Sequence, residues 1–187
     1  MTYRKSPFII QAACAGEIKS IGHLIAAGLN FDEVGHIYLT KRRQNTVKSN
    51  VIGAAAYHGH DEMLRCLLDT VHGGILEAKS IEKADRIDGK TGDFKPDGMS
   101  NLTPLQLAIV SPHLNTVVFK TLLNAGANQF VLESGTNNTI IHLAAKHCTN
   151  VGVFQYIINN TEVEIFARNS EGDTALTICQ QLNNLAA

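Results

Sequence analysis

Histidine and cysteine are the residues of this chain best suited to chemistry, and their spacing argues against most of it. His58-Gly59-His60 could offer two imidazoles to a metal ion, as could His142 with His147-Cys148. Residues five and six apart on one short helix do not converge well on a single ion. No Cys-x-x-Cys or His-Glu-x-x-His accompanies them. A cysteine–histidine nucleophile is the other option, since four cysteines (14, 66, 148 and 179) and eight histidines are available. The cysteines are scattered through apolar helical stretches, and nothing nearby supplies an oxyanion hole. They read as small buried hydrophobes in a reducing compartment. His23 and His113 are read on helices with no special role. Gly73-Gly74 and Gly89-Lys90-Thr91-Gly92 lack the spacing of a phosphate-cradling loop. No catalytic residue, metal ligand or cofactor is therefore expected.

Composition narrows the remaining classes. The chain has 187 residues, 44% hydrophobic and 6% aromatic, with no tryptophan. Its core must be built from Leu, Ile, Val and Ala, which suits thin helices packed closely. Formal charge is −1 and pI near 6.7, so no global field favours nucleic acid or a membrane surface. One basic run, Lys41-Arg42-Arg43 with Lys48, could meet phosphate or an acidic partner, or serve as a nuclear address; a solvated loop is the favoured reading of it. Arg4-Lys5 before Phe8-Ile9-Ile10, with Ala13-Cys14-Ala15 behind, has the outline of a signal peptide. The apolar run is short and Gln11 interrupts it. No stretch approaches 18 uninterrupted apolar residues, so no membrane span is expected. A cytoplasmic location is expected.

The elements that must position these residues are written as one pattern repeated five times. It is clearest at Thr103-Pro104-Leu105-Gln106-Leu107-Ala108. It returns at Thr139-Ile140-Ile141-His142-Leu143-Ala144-Ala145, 36 residues on, and at Thr174-Ala175-Leu176-Thr177-Ile178, 35 further. Worn copies precede it at Pro7-Phe8-Ile9-Ile10-Gln11-Ala12-Ala13 and Asn50-Val51-Ile52-Gly53-Ala54-Ala55-Ala56. Such periods indicate a stack of small helical units.

Each unit reads as two helices. The first unit has helices over 8–15 and 17–27, with Ile18, Ile21, Leu24 and Ile25 in one stripe and Gly28 as the stop. The second has helices over 51–58 and 61–70, turning at Gly59-His60, with Met63, Leu64, Leu67 and Leu68 apolar. The third has 104–110 and 117–125, then Gly126. There Thr103 is an N-cap, Pro104 occupies the first helical position, and Pro112 widens the corner. The fourth has 140–146 and 151–158. The fifth has 175 to about 182 alone. Leu105, Leu107, Ile141, Leu143 and Leu176 are expected among the most buried side chains.

This layout resembles the ankyrin repeat family. The resemblance is carried by Thr103-Pro104-Leu105 with Leu107-Ala108, Thr139 with His142-Leu143-Ala144-Ala145, and Gly59-His60. Leu122-Leu123-Asn124-Ala125-Gly126-Ala127-Asn128 and the segment from Asn169 to Thr174 add to it. It implies an all-α repeat domain over 1–187, an ankyrin-type α-solenoid of about four and a half units. The units lie near 6–48, 49–98, 99–134, 135–169 and 170–187. Spacings of 43 and 53 residues from Pro7 to Asn50 and on to Thr103 exceed the roughly 33-residue unit, so insertions are expected near 29–49 and 71–98. Eleven charged residues fall within 77–97 of the second. The final copy lacks a second stripe and its end is apolar, which favours a chain cut from a longer protein over a short polar cap.

The resemblance also implies a function and a place for it. Hairpin tips and the solvent side of the first helices form a concave face in that family. Here the face would comprise Ser49, Tyr57, His58, Leu102, Val110, Ser111, Asn138, Lys146, His147, Glu171 and Asp173. An exposed tyrosine beside two histidines and a lysine would suit a protein segment. His142 matches the family's structural histidine, which holds the turn. The chain is thus expected to be a non-catalytic scaffold that binds another protein, with no small-molecule substrate, nucleic acid or membrane. The alternative is a docking or regulatory segment of a larger enzyme, such as a bacterial effector or a ubiquitin-ligase adaptor. Nucleic-acid binding through Lys41 to Lys48 is a weaker third class.

Overall fold

The computed structural model describes residues 6–28, 31, 33–38, 46–70, 102–147 and 150–185, with side chains described for all but 38, 46–48 and 183–185. The second insertion, near 71–98, lies outside the described residues, as do the Lys41-Arg42-Arg43 run and Cys148. Among the described residues the protein is mostly helical. Nine helices are formed: α1 (Phe8–Ala15), α2 (Ile18–Ala26), α3 (Val51–Tyr57), α4 (Asp61–Thr70), α5 (Pro104–Val110), α6 (Thr116–Asn124), α7 (Ile140–His147), α8 (Val151–Asn160) and α9 (Ala175–Leu185). None is long and apolar enough to cross a membrane.

Local chemistry sets the helix starts. Thr103 accepts the Gln106 N–H at 3.3 Å, while the Gln106 side chain accepts the Thr103 N–H at 2.9 Å. This reciprocal box satisfies two donors that an uncapped helix leaves open. Asn50 caps α3 through Gly53 N–H at 2.8 Å, and Asn115 caps α6 through Val118 N–H at 2.8 Å. Because Asn115 is the cap, α6 begins at Thr116, one residue before the sequence expectation.

The helices pack in two rows. In one row α1, α3, α5, α7 and α9 each lie against the next; in the other α2, α4, α6 and α8 do the same. Each first helix also packs on the second helix that follows it, from α1 on α2 to α7 on α8. Helices α3 and α5 are buried at every residue. Second-row helices bury a stripe, as α4 does with Met63, Leu64 and Leu67. Leu105, Leu107, Ile141 and Leu143 are fully buried, as expected. Leu176 is not: it is 62% exposed on α9, since among the described residues no helix follows to cover it.

The expectation of an all-α chain needs correction in the first insertion. Strands β1 (Gly35–Tyr38) and β2 (Thr46–Ser49) pair antiparallel, from Gly35 opposite Ser49 to Tyr38 opposite Thr46. The run has the β-branched and aromatic residues that favour a pleated, half-buried ribbon. Ile37 is fully buried. Ser6 Oγ accepts the His36 N–H at 2.9 Å and donates to the His36 carbonyl at 3.0 Å, tying the strand to the entrance of α1.

The corners differ as Pro112 suggests. Two residues join α1 to α2 and three join α3 to α4, whereas five separate α5 from α6. In that longer corner Ser111 Oγ accepts the His113 N–H at 2.9 Å and donates to the Tyr57 carbonyl of the preceding unit.

Candidate protein-binding face

The expected concave face is assembled by the ends of the first-row helices and the loops before them. The structure divides its residues sharply. Ser49, Tyr57, Leu102, Val110, Ser111 and Asn138 are buried. Lys146 and Glu171 are exposed, and His58, His147 and Asp173 are half-buried. The anticipated exposed tyrosine is therefore absent: the Tyr57 side chain is only 3% accessible. The buried members belong to the joints between units and present little surface to a partner.

Their contacts show why. Glu133 accepts from Asn138 Nδ2 at 2.7 Å and from the Thr136 hydroxyl. Asn138 Oδ1 accepts in turn from Asn169 Nδ2 at 2.9 Å, one unit further on. The Ser170 N–H donates back to the Thr136 carbonyl at 2.8 Å. A buried carboxylate with several donors and a pair of crosslinked tips make a fixed polar seam. His142 extends it. The Thr139 N–H donates to its Nδ1 at 3.2 Å, so the ring proton sits on Nε2, which donates to the Asp173 carbonyl at 3.0 Å. The imidazole holds its own turn and the next one, the structural part anticipated for it.

At the opposite corners a cluster emerges that sequence reasoning left apart. The rings of His58 and His60 stack with centroids 6.1 Å apart, and those of His58 and His113 do the same at 6.1 Å. His113 lies in the α5–α6 corner, not on a helix, and does have a packing role. His60 Nε2 meets the Cys14 carbonyl at 3.0 Å, and Asn115 Nδ2 donates to the Gly59 carbonyl at 3.4 Å. Three successive units are thereby joined. His58 Nε2 is buried without a hydrogen-bond partner among the described residues. Burial, with His60 and His113 adding repulsion, holds His58 down at about 4. The signal available in advance was His58-Gly59-His60; the arrival of His113, 53 residues later, was not readable locally.

Gly59 belongs to this corner for a geometric reason. Its φ is +75°, and a Cβ there would stand 2.8 Å from the His113 carbonyl oxygen. Both the backbone conformation and the approach of the next unit require glycine.

Stacked rings do not aim their nitrogens at a common point, and among the described residues no three His, Cys, Asp or Glu side chains gather as a metal site. Burial pushes the Cys14 thiol up to about 11, so the thiolate is scarce at neutral pH. Cys14, Cys66 and Cys179 are free and half-buried, more open than expected of core residues. Burial foremost, then Lys146, lowers the pKa of His147 against an opposing pull from Glu133.

Exposed apolar side chains add what the sequence reading overlooked. Phe130 is 54% and Phe166 76% accessible, each at a turn after a second-row helix. The turns are linked, since the Glu162 N–H donates to Gln129 Oε1 at 3.1 Å. The 36-residue register from Thr103 to Thr139 could have found the pair, because it aligns Phe130 with Phe166.

No protein-family model matches the chain, and no curated protein matches it in sequence.

Proposed function

We propose that this chain is an ankyrin-type repeat domain that acts as a non-catalytic, cytoplasmic protein-interaction module. The reading rests on one observation above others: first-row helices stacked in order, with His142 bonding Thr139 in its own unit and Asp173 in the next. A stack of that kind holds its surface residues on a fixed frame and so presents a preorganised face.

The binding strip is proposed along the first-row helix ends, centred on Lys146, His147, Glu171 and Asp173. These carry opposite charges in adjacent units, which suits an extended polar segment of another protein. Tyr57 is a poor probe, because it is buried and truncating it would disturb packing as well as binding. Lys146→Glu with Glu171→Lys inverts both exposed charges and leaves the core intact.

A photo-crosslinking residue at 146 should capture a partner more efficiently than one at Arg65, exposed on the other row. The double charge swap should reduce that capture at least tenfold while the melting temperature moves by no more than a few degrees. Equal capture from both rows, or capture insensitive to the swap, would remove the strip from the interaction.

A further inference from the structure

Phe130 keeps its exposure inside the stack. It is 54% accessible although the following unit lies beside it, and Leu132, two residues on, is exposed as well. The next unit is in place and leaves both side chains open, so neither is uncovered for want of a neighbour. Two hydrogen bonds set the adjacent segments side by side. Gln129 Oε1 accepts the Glu162 N–H at 3.1 Å, and the Thr136 carbonyl accepts the Ser170 N–H at 2.8 Å. Between these ties the second segment exposes Ile165 and Phe166. Four large apolar side chains thus share one pair of loops, where single scattered ones would call for no account.

The loops are held in place. Gln106 Nε2, from α5, donates to the Val131 carbonyl at 2.9 Å. Asn128 Oδ1 accepts the Phe130 N–H at 2.9 Å, and Val163 packs against the core. An apolar platform fixed in this way loses little conformational freedom on binding.

Charge selects what covers it. Across 126–136 and 159–167 the charged residues are Glu133, Glu162 and Glu164, with no Lys or Arg. Glu133 is buried, while Glu162 and Glu164 are exposed. The nearest cation beyond, Arg168, donates to the Gly172 carbonyl at 2.6 Å. A second copy of the patch would bring two pairs of carboxylates together, and an anionic bilayer would meet the same repulsion. A partner segment with apolar anchors and positive charge gains from both features at once.

We propose that Phe130, Leu132, Ile165 and Phe166, with Glu162 and Glu164 of the same loops, form a second docking surface that takes a basic segment of another protein carrying apolar anchors. It uses none of the residues of the first-row strip, so the two readings stand or fall separately.

A set of short fluorescent peptides, each with two Leu or Phe anchors at varied spacing and Lys between them, probes the surface by anisotropy. Two control sets carry Glu in place of Lys, or Ser in place of the anchors. The Lys set should contain the tightest binders, weakened in part by salt. Phe130→Ser with Phe166→Ser should raise the dissociation constant at least about tenfold, with an unchanged circular-dichroism melt because both rings are exposed. Glu162→Lys with Glu164→Lys should turn the preference toward the Glu set, and it keeps the test open should the first variant fold poorly. Val117→Ser, which removes an exposed apolar side chain at the other end of α6, should leave the constant unaltered. No binding by the Lys set overturns the proposal, as does equal binding of all three sets or binding indifferent to both double variants. So does tighter binding to phosphatidylcholine vesicles than to any peptide, or a self-association that the phenylalanine variant abolishes.

Discussion

The first-row and second-row helices meet the same demand, burial against neighbours, with different sequences. Helices α3 and α5 are seven residues each and bury all of them. Helices α4 and α6 are ten and nine residues long and bury three each. A fully buried short helix has no side left for charge, and α3 and α5 contain none. Its residues must fit on every face, so Ala and Gly appear where backbones approach. A half-buried helix needs only a stripe, and its outer face is free to carry Glu62, Arg65 and Asp69. The rows should therefore fail differently: the inner one to any change of volume, the outer one mainly to loss of its stripe.

Truncation should show the largest contrast. Leu105→Ala removes a side chain that is 1% exposed and should cost about 2–5 kcal/mol. Leu68→Ala, in the partly buried second row, should cost roughly half of the ~1.5–3 kcal/mol assigned to a fully buried leucine. Paired urea melts measure both. Equal losses would mean that the rows do not differ in the way their burial implies.

Adding volume sharpens the same point. Gly53 lies in α3, and a Cβ there would fall 2.0 Å from Ser49 Oγ and 3.0 Å from Leu107 Cδ1. Gly53→Ala should destabilise by about 1–3 kcal/mol despite alanine's better helix propensity. Gly22→Ala in α2, where a Cβ meets nothing within 4 Å, should be neutral or stabilising by up to about 1 kcal/mol. A stabilised Gly53→Ala variant would show that the inner row has room it is not expected to have.

Much of this division was readable in the sequence, for local reasons. The bounds of α1, α4 and α5 follow directly from their apolar runs and from Gly16, Asp61 and the Thr103-Pro104 cap. What was not readable depends on distant residues. Tyr57 and Ser111 looked like helix-end surface until the Ser111 hydroxyl was seen to reach the Tyr57 carbonyl across 54 positions. Leu176 carries the same local signal as Leu105, and its exposure depends on what packs beside it. The strands Gly35–Tyr38 and Thr46–Ser49 read in the sequence only as excess length, although Ile37, Tyr38, Thr46 and Val47 are strand-favouring residues.

The corner between the rows should respond to pH. His58 is neutral in the folded chain, and its value of about 4 lies below the ordinary 6.5. The unfolded chain binds more protons between those values. Stability from this residue is thus complete above about pH 6.5 and declines as pH falls toward about 4. His60 and His113 face it across the cluster and oppose its protonation. Thermal melts at pH 7 and pH 5 should show a drop for the native chain and a smaller one for His58→Gln. Identical drops would place the acid sensitivity elsewhere.

Removing the cap probes how α5 begins, independently of its packing. Thr103→Ala abolishes one half of the reciprocal box with Gln106 and should cost about 1 kcal/mol, within the range for cap deletions. It also leaves a buried Gln106 N–H without its acceptor, which sets the direction firmly. Gln106→Ala should cost more than a cap glutamine alone, because its Nε2 also donates to the Val131 carbonyl at 2.9 Å and so ties the helix to the next loop. If Thr103→Ala proves the costlier of the two, that tie contributes little.

The smallest effect is expected at Leu176, and it bears on the contrast most directly. Leu176→Ala alters a side chain equivalent in register to Leu105 but 62% exposed. In dilute solution it should change stability by no more than about 0.5 kcal/mol, as surface substitutions do, against several for Leu105→Ala. The chemistry of the two substitutions is identical, so their difference isolates the contribution of the neighbouring helix. A large loss at Leu176 under dilute conditions would mean that something already covers it in the isolated chain, and the end of the row would then be closed.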